Sequence, residues 1–475
     1  MTGTRPDAVA LIDGEHYAPV VRAALEHLGV DYRFVAALFL GGREKLRAAP
    51  GEDPVDALQR EYGLPVFTAQ RLTRADGRDA AKTSTLLSEA LRELLARTGA
   101  GVVVDLSDEP VLDYRERFLL MSAAAFCGVR YVGADFELRP QRLATIGRPS
   151  LAVIGTGKRV GKTAVSGRLA YELAAAGERV VIVAMGRGGP PEPEIVDGGA
   201  GIGADELLAV SRRGRHAASD HYEDAVLAGV TTIGCRRCGG GLAGAPFDST
   251  MPQALEVLAG VPASLVILEG SGSVIPPVRA DATVCVAAAS QPAEYVTGYL
   301  GTYRLLISDL IVLTLCEPPF ASSADVGRLL RVVRGARRGL DVIPTVFRPR
   351  PASDVRGRRV ALFTTAAPQG LATLTDYLQE VYGAEVVAAC ADLASRPALA
   401  DAVLRAQREA DVFLTEIKAA AIDVVAEAAA AGGKQLVFCD NEPSAIDGSD
   451  LMRALRDQAA LAHRRFSAAH SSTAR

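Results

Sequence analysis

The chain has 475 residues, 49% of them hydrophobic and 23% charged, with a formal net charge of −4. That length calls for two to four hydrophobic cores, and the composition is that of a globular protein, not a disordered or fibrous one. A charge so close to neutral gives no general attraction to nucleic acid or anionic membrane, so any basic site has to be local.

The opening residues, MTGTRPDAVALIDGEHY, lack the basic segment and long apolar stretch of a signal peptide. The longest apolar region, Leu305 to Cys316, is broken by Asp309 and is too short for a bilayer. Seven scattered cysteines, mostly in apolar runs, fit buried thiols in a reducing cytoplasm. Up to about Pro140, short apolar runs alternate with helical spacing. Strands are expected at Ala8 to Ile12, Tyr32 to Leu40, Val102 to Leu106 and Val129 to Val132. Helices fall between them at Val20 to Leu28, Ser84 to Arg97 and Arg117 to Phe126. Such alternation predicts a parallel sheet, with ligands beyond the carboxyl ends of its strands. Three polar clusters stand there: Asp13-Gly14-Glu15-His16-Tyr17, Gly41 to Lys45, and Asp105 with Ser107-Asp108-Glu109. Each alone reads equally as helix capping and solvated loop; together they suggest a ligand cleft, with Asp13, Glu15 and His16 as substrate-binding candidates.

From Leu151 to Ala170 the chain reads LAVIGTGKRVGKTAVSGRLA. An apolar strand breaks into glycines, and helical spacing resumes behind Gly161-Lys162-Thr163, the layout of a phosphate-binding loop. Gly157 and Gly161 let the backbone approach phosphate oxygens, and the N–H groups from Gly157 through Lys158, Arg159, Val160 and Gly161 to Ala164 surround the anion. Lys162 is expected at the β- and γ-phosphates of ATP, and the Thr163 hydroxyl at Mg²⁺. One feature departs from the usual G-x-x-x-x-G-K-[ST] pattern: Thr156 stands where the first glycine belongs.

The strand Arg179 to Ala184 leads into MGRGGPPEPE, Met185 to Glu194. Glycines around Arg187 suit an anion, and Glu192, Glu194 or Asp197 suit Mg²⁺; a plain Pro-Gly surface loop is the other reading. Ile233 to Gly241 reads IGCRRCGGG, where Arg236 and Arg237 beside glycines suit an anion better than the single Cys235/Cys238 pair suits zinc. Glu269 ends the strand Leu265 to Leu268, the place of an acidic Mg²⁺ ligand opposite a phosphate loop. Arg279 follows, and the turn Cys316-Glu-Pro-Pro319 stands where related folds hold the base. A last α/β region has strands at Val360 to Phe363, Glu385 to Ala388, Val412 to Leu414 and Leu436 to Phe438, with helices starting near Leu371, Arg396 and Ala419. The predicted layout is therefore three α/β domains with mostly parallel sheets. Residues 1–149 form the first, 150–350 the ATP-binding domain, 351–465 the third, and 466–475 a disordered tail.

The loop spelling GTGKRVGKT resembles that of dethiobiotin synthetase and its relatives, which close rings with ATP. The same relatives carry an EGAGG segment, which Glu269-Gly-Ser-Gly272 resembles. Taken over nearly the whole chain, the segments LIDGEHY, GTGKRVGKTA, MGRGGPPEPE, CRRCGGGLAG and LEGSGSVIPPVRAD resemble the cyclic 2,3-diphosphoglycerate synthetase family. The resemblance implies a cytoplasmic, homodimeric enzyme. It uses ATP and Mg²⁺ to join the two phosphates of 2,3-bisphosphoglycerate, with neither nucleic acid nor membrane as partner. Lys158, Lys162, Arg187, Arg236 and Arg237 are then the catalytic cations, and the same arginines with Arg279 hold the polyanion. A kinase or ligase acting on another small polyanion is the nearest alternative. A nucleotide switch of the ParA or MinD kind is a further one, but those proteins carry a lysine five residues before the loop lysine, where this chain has Gly157.

Overall fold

The computed structural model describes residues 4–42, 44–48, 50–69 and 80–472. They fall into two units: Met1–Arg142 with Ala293–Ile307 and Arg331–Gly339, and Leu143–Pro292 with Ser308–Leu330 and Leu340–Arg475.

The first unit is a six-stranded sheet. Its strands are β1 (Asp7–Ile12), β2 (Arg33–Phe39), β3 (Val66–Thr68), β4 (Val102–Asp105), β5 (Arg130–Val132) and β6 (Glu137–Leu138), in the order β3-β2-β1-β4-β5-β6. Only β5 and β6 run antiparallel. Ala8 to Ile12 are wholly buried, as expected of a central strand covered by helices on both faces. The strand order reverses between β1 and β4, so the crevice beyond their carboxyl ends is the natural ligand position. The three polar clusters meet there. Gly14 N–H donates to the Gly41 carbonyl, and Asp108 N–H donates to Asp13 Oδ2 at 2.7 Å. Arg43 of the second cluster lies outside the described residues. The helix Pro54–Tyr62, capped by the Asp53 side chain, is an element the apolar spacing did not announce.

In the second unit one sheet of thirteen strands runs through both lobes. β7 (Ser150–Gly155), β8 (Val180–Gly186), β9 (Glu194–Asp197), β10 (Thr231–Cys238), β11 (Asp248–Ser249), β12 (Leu265–Glu269), β13 (Ala282–Ala288) and β14 (Leu310–Thr314) form the loop-bearing lobe. β16 (Arg359–Phe363), β17 (Glu385–Cys390), β18 (Val412–Thr415) and β19 (Gln435–Ala445) form the C-terminal lobe. β15 (Asp341–Pro351) joins them: its first half pairs parallel with β14 and its second half antiparallel with β19. The domain boundary expected at residue 350 thus falls inside a shared strand, not in a linker.

The disordered tail expected after Phe466 is corrected by the helix Leu451–Ser472. Leu451, Leu455, Ala459 and Ala462 repeat at helical spacing and bury themselves against Leu151, Val153, Val284 and Val312 of the sheet. His463 Nε2 lies 2.7 Å from Glu178 Oε1, and Arg465 pairs with Asp309 at 2.8 Å. With these anchors, the small polar residues that follow continue a helix already nucleated.

Candidate functional site

β7, the central and fully buried strand of its lobe, ends at Gly155, and the helix Lys162–Ala175 starts seven residues on. Between them the backbone makes a loop that only certain residues tolerate. Gly161 has φ +95°, and a Cβ there would meet the Phe347 ring at 2.1 Å. Arg159 holds φ 60° without being glycine, a strained conformation of the kind found at ligand sites. Thr156, the departure from the usual pattern, has a physical role: its hydroxyl donates to Gln291 Oε1 at 2.6 Å, fixing the loop to the end of β13. Lys158 and Arg159 are exposed, whereas Val160 and Lys162 are buried. Lys162 folds back onto its own loop, Nζ donating to the Gly157 carbonyl at 3.0 Å. Burial pushes its pKa down, and the charges of Glu269 and Asp220 oppose that push.

Glu269 ends β12 beside the loop helix, 1% exposed. Ser166 Oγ donates to its Oε1 at 3.0 Å, and the Thr163 hydroxyl is also a hydrogen-bond partner. Oε2 has no protein partner. Burial raises Glu269 to about 7, reinforced by Asp220 and moderated by Thr163 and Lys162. A buried carboxylate oxygen left open beside a threonine hydroxyl is the donor set a hard divalent cation takes. The structure thus sets Thr163 and Glu269 side by side.

The arginines separate into two groups. Arg187 follows β8 and Arg237 stands on β10, and both approach Gly272, whose Cβ position lies 3.0 Å from Arg187 Nη2 and 3.4 Å from Arg237 Nη2. Arg237 is buried, donating to the Gly239 carbonyl at 2.9 Å and the Ser271 carbonyl at 2.8 Å, with Nε unpartnered. Burial lowers its pKa, and repulsion by Arg187 adds to that; Arg187 repels Lys162 as well. The three cations are neighbours, and among the described residues neither arginine pairs with a carboxylate. Arg236, its neighbour on the same strand, is exposed, because side chains alternate across a strand. Its backbone N–H donates to Thr250 Oγ1 at 3.0 Å. Arg279 is exposed too, tied by its N–H to the Ala144 carbonyl. Neither joins the Arg187–Arg237 cluster. Cys235 is buried and Cys238 exposed, for the same reason of alternation.

Glu194 is corrected as a metal ligand. It sits on the edge strand β9, ion-paired with Arg215, accepting from Tyr222 Oη at 2.7 Å, with His221 Nε2 at 3.5 Å. Burial opposes its ionisation, but His221, Tyr222 and Arg215 outweigh this and lower it to about 2. Its contribution to stability is therefore full above the ordinary value of 4.5 and is lost as pH falls toward about 2. Glu194→Gln is expected to lower the melting temperature at pH 7 and to converge with wild type near pH 2, with unchanged Mg²⁺ dependence of activity. Melting curves from pH 2 to 7 and a Mg²⁺ titration check this.

The acids that do surround the loop come from the helix Asp220–Ala228, which the sequence reading missed. Asp220 is coupled by charge to both Lys162 and Glu269. Asp224, 1% exposed, has no partner on either carboxylate oxygen, and burial with its acidic neighbours holds it well above the carboxylate range. Glu223 is raised to about 8 by burial, opposed by Lys418, whose Nζ reaches it at 3.0 Å from the C-terminal lobe. In the first unit, Asp13 is spent on structure: Oδ1 accepts from the Glu15 and His16 N–H groups and lies 2.8 Å from His16 Nδ1. Glu15 and His16 remain half-exposed.

The chain matches family models along most of its length. Residues 7–139 match the N-terminal domain of cyclic 2,3-diphosphoglycerate synthetase, 150–346 its P-loop domain, and 351–442 its C-terminal domain. The chain belongs to the cyclic 2,3-diphosphoglycerate synthetase family. A relative of that name from Rubrobacter xylanophilus is 50% identical, over 94% of this chain and 96% of its own. Those from Methanothermus fervidus and Thermococcus gammatolerans are 39% and 42% identical, each over 94% of this chain and 95% and 96% of their own. The family, the α/β class and the nucleotide-binding loop agree with the expectations from the sequence.

Proposed function

We propose that this protein uses ATP and Mg²⁺ to convert 2,3-bisphosphoglycerate to cyclic 2,3-diphosphoglycerate, releasing ADP and phosphate. The observation that carries the reading is the group Lys162, Arg187 and Arg237 beside a phosphate loop, in which Arg187 repels each of the other two and, among the described residues, neither arginine has a carboxylate partner. Such a group is costly to assemble unless a polyanion fills it. Each phosphate of the substrate carries about −1.5 to −2 near neutrality. Two unit charges at about 4 Å repel by roughly 1 kcal/mol in water and about 4 kcal/mol at an effective dielectric of 20. Ring closure brings two such groups together, so the enzyme has to supply positive charge from fixed positions.

The reaction then needs two displacements. An oxygen of one substrate phosphate attacks the γ-phosphorus of ATP in line, and ADP leaves. An oxygen of the second phosphate attacks the activated phosphorus of the first, closing the ring and expelling inorganic phosphate. Ionised phosphate is already nucleophilic, so positioning and charge stabilisation carry the rate. We assign Lys162 to the β- and γ-phosphates and Arg187 with Arg237 to the substrate. Lys158 and Arg159 stand at the exposed turn of the loop. Thr163 and Glu269 hold Mg²⁺, which when bound neutralises phosphate charge. Glu15 and His16 are the first unit's candidates for ligand contact, with Asp13 holding their turn. This reading makes the enzyme a cytoplasmic homodimer without nucleic-acid or membrane partners. The net charge of −4 supports only the lack of a general attraction to nucleic acid or anionic membrane; among the described residues no helix is long and apolar enough to cross a membrane.

Phosphorus NMR of protein, ATP and 2,3-bisphosphoglycerate tests the proposal. Coupled resonances of a cyclic pyrophosphate, with one ADP and one phosphate per ring, are expected. A stable third phosphate on the substrate would make the protein a kinase, and ATP hydrolysis indifferent to the bisphosphate would make it a switch.

A further inference from the structure

The helix Asp220–Ala228 carries Asp220, Glu223 and Asp224 at positions i, i+3 and i+4, so the three acids share one face. Glu223 and Asp224 are buried, and Glu223 Oε2 and both Asp224 oxygens have no protein partner. Asp224 faces the loop helix, its Oδ1 lying 3.2 Å from the Cβ position of Gly167. Such a face is costly to bury unless a cation compensates it. The cation comes from the C-terminal lobe. Lys418 Nζ lies 3.0 Å from Glu223 Oε1, and its charge acts on Asp220 and Asp224 as well. Burial opposes that charge, but Glu223 and Glu416 outweigh it and raise the lysine's pKa. Lys418 is itself firmly placed. Just before it, Glu416 accepts from Thr364 Oγ1 at 2.5 Å, Thr365 Oγ1 at 2.7 Å and Asn441 Nδ2 at 3.0 Å. Just after it, Ala419 holds φ 51°, a conformation that persists only where the surroundings impose it. Apolar packing closes around the pair: Tyr222 and Ala225 of the helix share one cluster with Ile417, Ala420 and Ala421 of the C-terminal lobe.

We infer that Lys418 is a positioning residue for the phosphate-loop reaction: from the C-terminal lobe, through Glu223, it fixes the helix Asp220–Ala228 against the loop helix. The effect reaches the reacting groups through Asp220, in the first turn of that helix. Its charge supports the protonated form of the buried Lys162 and acts on Glu269. A shift of the helix moves that charge relative to both, and a displacement of about 1 Å away from the chemistry costs about 10² in rate. Lys418 does this without touching a phosphate. ATP binding is spared, because the loop's own N–H groups and Lys162 receive the nucleotide's phosphates. The inference rests on the proposed reaction, and the test separates the two.

Steady-state kinetics, melting curves and amide hydrogen exchange on Lys418→Met, Glu223→Ala and the double variant decide it. At a temperature where they are folded, both single variants are expected to lower kcat by about 100-fold, with the KM for ATP within about threefold of wild type. The double variant is expected to be no slower than the slower single, because both changes break one connection. Amides of residues 220–228 are expected to exchange at least about tenfold faster in each variant, while those of β7 and β12 keep wild-type rates. Glu223→Ala removes the buried acid instead of leaving it unpaired, so it decides the matter alone if Lys418→Met does not fold. Wild-type kcat in a folded variant overturns the inference and reduces the pair to stability. A loss confined to Lys418→Met overturns it too, because the lysine, which lines the cavity beside the loop, would then act on ligand directly. Unchanged exchange in 220–228 overturns it as well. Wild-type protein that forms ADP no faster with the bisphosphate overturns the proposed reaction instead, and the exchange rates still decide whether the pair holds the helix.

Discussion

Lys162→Ala is expected to abolish ADP formation, with turnover falling by a factor of about 10³ or more and the fold intact. The fold survives because the lysine is a liability to the empty protein. It is 8% exposed, burial depresses its pKa, and its ammonium donates to the Gly157 carbonyl of its own loop. Removing such a charge relieves a desolvation cost and opens a small space beside Gly155, whose Cβ position lies 2.9 Å from Lys162 Cδ. Catalysis does not survive, because a preorganised cation at the transferring phosphoryl group is worth about 10²–10³ in rate even where it is one of several donors. Here it also partly offsets the buried charge of Glu269, which needs to be ionised to hold a cation. Lys162→Arg is not a rescue, since a planar fork does not follow the path of the narrow lysine stem along Gly155. ADP production with and without bisphosphate, alongside melting curves, checks both halves. Wild-type turnover in Lys162→Ala would remove the loop from the mechanism.

Much of this site was legible because its chemistry is local. Strand, glycine turn, Lys162 and Thr163 lie within a single stretch, and Glu269 ends a run too apolar to be anything but a core strand. Alternation along β10 was also available. CRRC on a strand has to send Arg236 and Arg237 to opposite faces, and reading the two arginines together as one anion site beside glycines concealed that. Glu194 misled because acidic residues among prolines look like loop, whereas its partners Arg215, His221 and Tyr222 arrive from later elements. Asp220, Glu223, Asp224 and Lys418 left no local signal. In sequence they are a helix start, two helical acids and a strand-end lysine, and only packing that helix between the loop helix and the C-terminal lobe gathers their charges. The β15–β19 junction was hidden for a similar reason: antiparallel pairing of residues 345–351 with 439–445 is long-range, and neither half carries a turn signal.

Arg237→Ala is expected to reduce kcat/KM for the bisphosphate by about 10- to 150-fold while leaving ATP affinity near wild type. The range follows from losing one charge-assisted hydrogen bond to the substrate, at about 1.5–3 kcal/mol and about 1.4 kcal/mol per tenfold. ATP is spared because Arg237, on β10, is assigned to the bisphosphate and not to the nucleotide. Arg237→Lys is expected to do almost as badly. The guanidinium spans two carbonyls, Gly239 through Nη1 and Ser271 through Nη2, and Nε is still unpartnered for an anion. An ammonium does not hold both carbonyls and face substrate in the same geometry. Arg187→Ala should show the same split between ligands, and the double variant should lose less than the product of the single losses. Each arginine repels the other, so removing one makes the remaining one easier to keep charged and better hydrated. Arg236→Ala is the internal control. It is exposed on the opposite face of the strand, so its kcat/KM should fall within about threefold of wild type, on the order of the ±0.5 kcal/mol of a surface change. A loss at Arg236 equal to that at Arg237 would mean that the substrate lies on the other side of β10, and the cation cluster would then have to be reassigned to structure.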